Sequence, residues 1–133
     1  MKYSPEDVKK ALSKKRLGGI CLINICAGGE TLLCKEVVDY TRVLLEEGHY
    51  VMIVTNATIT DKMKKIAAFP SELLNRLFFK MSYHYVELKK RDLLSVFFEN
   101  IRMLRDAGAS FTLEVTPYDD LVPYIDELCE VAI

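Results

Sequence analysis

Ile23-Asn24-Ile25-Cys26-Ala27-Gly28-Gly29-Glu30-Thr31-Leu32-Leu33 is an apolar run of strand character that ends in two glycines and a carboxylate. The pattern predicts a helix beginning at once after Glu30. Consecutive glycines let a ligand approach the backbone, because no Cβ stands in the way. A helix start adds N–H groups without intrahelical partners. A second punctuation of this kind, Val54-Thr55-Asn56-Ala57-Thr58, closes the next apolar run.

The same alternation extends in both directions. Ser4-Pro5-Glu6-Asp7 is a helix start, with Ser4 as N-cap and Pro5 at the first helical position. Gly18-Gly19 ends that segment, and residues 20–26 read as a strand buried on both faces, apolar except for Asn24. Residues 33–47 carry apolar side chains at helical spacing, with Gly48 as C-cap. Residues 50–55 form a second strand. Thr60-Asp61 caps a short basic helix, and another short helix is expected at 71–75. A third strand covers 77–82, a clear amphipathic helix 92–107, a fourth strand 110–116 and a last helix 121–131. Strands alternate with helices and no hairpin turn separates them, so the class is α/β with about four parallel strands in a single domain. The sheet order either follows the sequence, as in a barrel, or reverses once, as in a doubly wound sheet.

Composition narrows the function classes. Of 133 residues, 50% are hydrophobic and 28% charged, which is the balance of a folded domain rather than a disordered chain. The formal net charge of −1 gives no basis for binding nucleic acid. Lysine clusters such as Lys89-Lys90-Arg91 read as solvated helix faces. No apolar run is long enough for a membrane span, and the N-terminus lacks signal-peptide character, so a cytoplasmic setting is expected. Cys21, Cys26, Cys34 and Cys129 fit neither zinc-ribbon nor C-x-x-C spacing and read as four small buried hydrophobes.

Ligands of parallel sheets sit beyond the carboxyl ends of the strands. Gly28-Gly29-Glu30, Thr55-Asn56, Ser82 with His84, and Glu114 all fall there. Thr55 offers a strand-end hydroxyl, whereas Asn56 is either a ligand or a turn residue. Lys80 shares a face with Phe78 and Ser82 and is either a carboxylate partner or a solvent-facing amine. His84 is a surface loop histidine or a substrate contact. Glu114, inside an apolar strand, requires a partner or a polar cavity. His49 receives no role.

Gly28-Gly29-Glu30 and Thr55-Asn56-Ala57 resemble the Gly-Gly-Glu-Pro and Thr-Asn-Gly segments of radical S-adenosylmethionine (SAM) enzymes. Thr31 stands where the family has proline, and Ala57 where it has glycine, so this turn lacks the residue that takes positive φ most easily. The resemblance implies a partial (β/α) barrel and a SAM site made by Gly28, Gly29, Glu30, Thr55, Asn56, Ser82 and Glu114. It implies a parent reaction in which a [4Fe–4S] cluster cleaves SAM and the resulting radical abstracts hydrogen from a substrate. The clustered cysteines that would ligate the cluster are not in this chain, so the resemblance makes it an internal piece of such a protein. An interaction or regulatory domain, and a nucleotide or phosphate enzyme using the glycines as an anion site, remain alternatives. If strand order follows sequence, residues 20–26 form an apolar edge, and self-association through it is expected.

Overall fold

The computed structural model describes residues 3–132. Strands β1 (Leu22–Ile25), β2 (Tyr50–Thr55), β3 (Leu77–Ser82) and β4 (Ser110–Glu114) form one parallel sheet in the order β1-β2-β3-β4. The order thus follows the sequence, as in a barrel. Helices α1 (Pro5–Ala11) and α2 (Lys14–Leu17) precede β1, and α3 (Val37–Glu47) links β1 to β2. Helices α4 (Thr60–Ala67) and α5 (Ser71–Leu74) lead to β3, α6 (Tyr85–Lys90) and α7 (Leu94–Ala107) to β4, and α8 (Ile125–Ala132) follows.

Crossovers between successive neighbours, all of one hand, place the helices on one face of the sheet. Burial alternates accordingly. Val51, Ile53, Leu77, Phe79 and Met81 lie in the core, while Tyr50 and Phe78 are exposed on the opposite face. The register sets Asn24, Met52, Phe78 and Ser110 in one row of this open face, and Val54, Lys80 and Thr112 in another. The face is apolar toward the strand N-termini, at Leu22, Tyr50, Met52 and Phe78. It is polar toward the C-termini, where Lys80 pairs with Glu114 at 2.9 Å. The result is a partial (β/α) barrel with its concave side open.

Several elements follow local chemistry closely. Ser4 and Asp7 form a reciprocal capping box, each accepting the other's N–H at 3.1 Å. The Ser4 donors hold the Asp7 carboxyl below its usual range. Gly48 and Gly108 end α3 and α7 in the left-handed region, with φ of 105° and 114°.

Other expectations are corrected. The helix that starts after Glu30 is a single 3-10 turn (Thr31–Leu33) with Glu30 as its N-cap, and the α-helix, α3, begins only at Val37. β1 is an edge strand with Leu22 exposed, not one buried on both faces. For the same reason Cys26, at its end, is exposed; Cys129 lies on the outside of α8, and Cys21 and Cys34 are only partly buried. The segment after β3 holds an additional helix, α6, which buries Tyr85, Val86 and Leu88. Thr60 caps nothing with its side chain; α4 begins there, and Thr60 Oγ1 accepts from Asn100 instead.

His49 is fully buried at the start of β2. Its Nδ1 accepts the Cys21 N–H at 3.1 Å and its Nε2 meets the Leu12 carbonyl at 2.7 Å. These partners require the neutral tautomer with the proton on Nε2. One imidazole therefore joins the α1 terminus to the two strands beside it.

Candidate functional site

The loops after β1, β2 and β3 meet at the C-terminal rim of the sheet. Gly29, Glu30, Val54, Thr55, Asn56, Ser82 and His84 line a polar cavity of about 150 Å³ there. A second cavity of about 230 Å³ shares Asn56, Ser82 and His84 and extends toward Thr58, Glu87 and Arg91. The two form one cleft near the low end of the ~300–1,000 Å³ typical of ligand pockets.

Glu30 organises the rim. Its Oε1 accepts the Leu32 N–H at 3.0 Å and the Thr55 hydroxyl, and its Oε2 accepts the Asn56 N–H at 2.7 Å. A carboxylate oxygen accepts about two hydrogen bonds, so Oε1 is filled and Oε2 retains one acceptor site. The charge is fixed in position with capacity left for a single further donor.

Thr55 is buried and committed: its hydroxyl donates to Glu30 and accepts the Ala57 N–H at 3.1 Å. Asn56 takes the turn role that the sequence offered. Its side-chain carbonyl accepts from Thr58 N–H and Oγ1, at 3.1 and 2.7 Å, closing an Asx turn. Its residue also lines both parts of the cleft. Ala57 takes the positive φ that glycine takes more easily, at 59°, a conformation costing about 1–2 kcal/mol for a residue with a Cβ. Buried Asn100 on α7 secures this turn by donating to the Ala57 carbonyl at 2.9 Å and to Thr60 Oγ1 at 3.0 Å. Sequence reading missed Asn100; a polar residue on the apolar stripe of a helix is the signal that marks it.

Gly28 and Gly29 have room around them, since a Cβ at either would meet nothing within 4 Å. Neither has positive φ, so nothing in the fold demands glycine there. Gly29 faces the cleft and Gly28 is not among its lining residues. Ser82 and His84 line both cavities, and their side chains make no hydrogen bond among the described residues. Glu114 stands apart, paired with Lys80 on the open face, while its carbonyl accepts the Tyr83 N–H at 2.8 Å.

The structure brings together Gly29, Glu30, Thr55, Asn56 and Ser82, adds His84, and leaves Gly28 and Glu114 outside. Among the described residues, no group of three or more His, Cys, Asp or Glu side chains is placed to hold a metal ion. The four thiols are dispersed and do not fit an iron–sulfur cluster. No described helix is long and apolar enough to cross a membrane.

Fold and site define an open, partial (β/α) barrel with a polar cleft at its C-terminal rim. No family model, curated protein or solved structure matches the chain.

Proposed function

We propose that the rim cleft binds the methionine end of S-adenosylmethionine and that the chain supplies this part of a radical SAM core, in a cytoplasmic setting. The observation that carries the reading is the remaining acceptor site on Glu30 Oε2, a carboxylate held by three protein donors at the polar rim cleft. A fixed carboxylate suits an α-amino group. The uncommitted Ser82 hydroxyl and His84 imidazole suit the polar remainder of the same ligand. Thr55 acts as a positioning residue, because its hydroxyl is consumed in holding Glu30. SAM would supply the sulfonium and the adenosyl group; this chain's residues orient the amino-acid end. Its dispersed thiols do not fit a [4Fe–4S] cluster.

The phosphate alternative is disfavoured on charge. Where an anion would dock, at the turn after the glycines, the chain's own Glu30 carboxylate already accepts the Leu32 N–H. Titration calorimetry with SAM, and with ATP as comparison, tests the reading. Saturable binding of SAM that is lost in Gly29→Val supports it. Binding of ATP alone, or of neither compound, overturns it.

A further inference from the structure

The sheet has two free edges, one uncovered face and a large apolar groove, and a single occupant satisfies all of them. We propose that two copies of this chain close into one eight-stranded parallel barrel, β1 of each pairing with β4 of its partner. The proposal does not need a ligand in the rim cleft, but it seats the partner's β4 on the β1 edge where a preceding strand of a larger core would otherwise pair.

Area gives the first argument. The surface of 7971 Å² exceeds by roughly 900 Å² what a compact monomer of 15.2 kDa presents, about 7100 Å² on the usual scaling. A standard stable interface buries about 800 Å² per partner. The excess is therefore of the size one interface removes.

Its location is visible in the burial pattern. Leu22 is 59% exposed, and Tyr50 and Phe78 remain open on the concave face, their rings 6.3 Å apart. All-parallel sheets are stable almost only with both faces covered. Even on the helix-facing side, the edge residues Ile23, Ile25, Phe111 and Leu113 are only partly buried, as strands lacking an outer neighbour would be. Along the β1 edge runs a groove of about 740 Å³ walled by Val8 of α1 and its C-cap Leu12, Ile23 and Ile25, and Val37 and Tyr40 of α3.

The edges carry complementary hydrogen-bonding groups. The Tyr50 N–H bonds the Cys21 carbonyl, so the parallel ladder turns Leu22 and Asn24 backbone groups away from β2. At the other edge the Tyr83 N–H bonds the Glu114 carbonyl, which leaves Phe111 and Leu113 backbone groups facing outward. Four strands in sequential order are half of the eight that close a parallel barrel. A two-fold axis along the strands joins β1 to β4 twice and leaves no edge, whereas pairing through one edge alone leaves the others open.

Sedimentation of the full chain over a dilution series, with amide hydrogen exchange, tests this. The expected mass is twice 15.2 kDa, falling to the monomer on dilution. Asn24→Pro removes an outward N–H without touching the β1–β2 ladder, and Leu22→Lys charges the same edge; both are expected to give folded monomers by circular dichroism. Lys65→Glu, on α4 at mid-sheet, is expected to leave the dimer intact. Exchange protection should rise with concentration at Leu22, Asn24, Phe111 and Leu113 together. A monomer at every concentration, open-ended association, a dimer insensitive to both edge variants, or protection confined to β1 would each overturn the proposal.

Discussion

Thr55 donates its buried hydroxyl to the carboxylate of Glu30, twenty-five residues earlier in the chain. The bond ties the loop after β1 to the end of β2 and determines where the rim carries its negative charge. Glu30 reads locally as a free acid beside two glycines. Its actual role is to hold two loops together and present one remaining lone pair.

Replacing Glu30 with Ala should destabilise the chain, because the Asn56 and Leu32 N–H groups and the Thr55 hydroxyl lose their acceptor. The cost is expected at about 1–3 kcal/mol, softened where water reaches the rim. Glu30→Gln should be milder in urea unfolding yet should still abolish SAM binding, since an amide lacks the charge that pairs with an ammonium. Equal stability of wild type and Glu30→Ala would contradict the tie.

Gly29→Val should separate binding from folding. The position is open and has no positive φ, so the expected stability change lies within about 0.5 kcal/mol, as at ordinary surface sites. The side chain would enter the cleft and displace ligand. Gly28→Val, outside the lining, should keep both stability and affinity. Matching melting temperatures with divergent calorimetric titrations are the expected pair of results.

The Tyr83 hydroxyl is buried without a hydrogen-bond partner among the described residues, with its ring stacked on Phe97 at a 5.2 Å centroid distance. Burial, then the neighbouring Cys129 and Glu127, push its pKa up to about 12 from the usual 10.0. A raised folded-state value means that the neutral form supports the fold. Stability from this group is full below about pH 10 and is lost as pH rises through about 12. Tyr83→Phe should remove that part of the alkaline loss and stabilise the protein at neutral pH by about 1 kcal/mol, the desolvation cost of the orphan hydroxyl. Unfolding followed across the alkaline range, with tyrosinate absorbance alongside, checks both effects.

His49→Ala should be among the most damaging single changes outside the apolar core. It removes the acceptor of the Cys21 N–H and the donor to the Leu12 carbonyl, and leaves space where a buried ring stood. A loss of about 2–4 kcal/mol is expected from two unmet backbone groups plus the cavity. Chemical denaturation measures it, and hydrogen exchange should show the start of β1 opening first.

The sequence by itself determined the parts of this fold that depend on near neighbours. Residues 77–82 alternate as they do in β3, Ser4 and Asp7 cap α1, and Gly48 and Gly108 end their helices, because periodicity and capping act within a few residues. The four parallel strands and the rim position of Gly29, Glu30, Thr55, Asn56 and Ser82 were legible for the same reason. Tertiary structure decided the rest. That β1 is an exposed edge depends on the order of strands far apart in sequence, and only that order explains why Cys26 is exposed. Thr55 is consumed in holding Glu30, Asn100 supports a strained Ala57, and His49 is buried between α1 and β1 through contacts spanning 25 to 43 residues. Hydrogen-bonding capacity is written in a residue's chemistry, but its partner is selected only when packing brings distant segments together. The local pattern could therefore place the polar side chains at the rim, and only the folded chain could allocate their bonds.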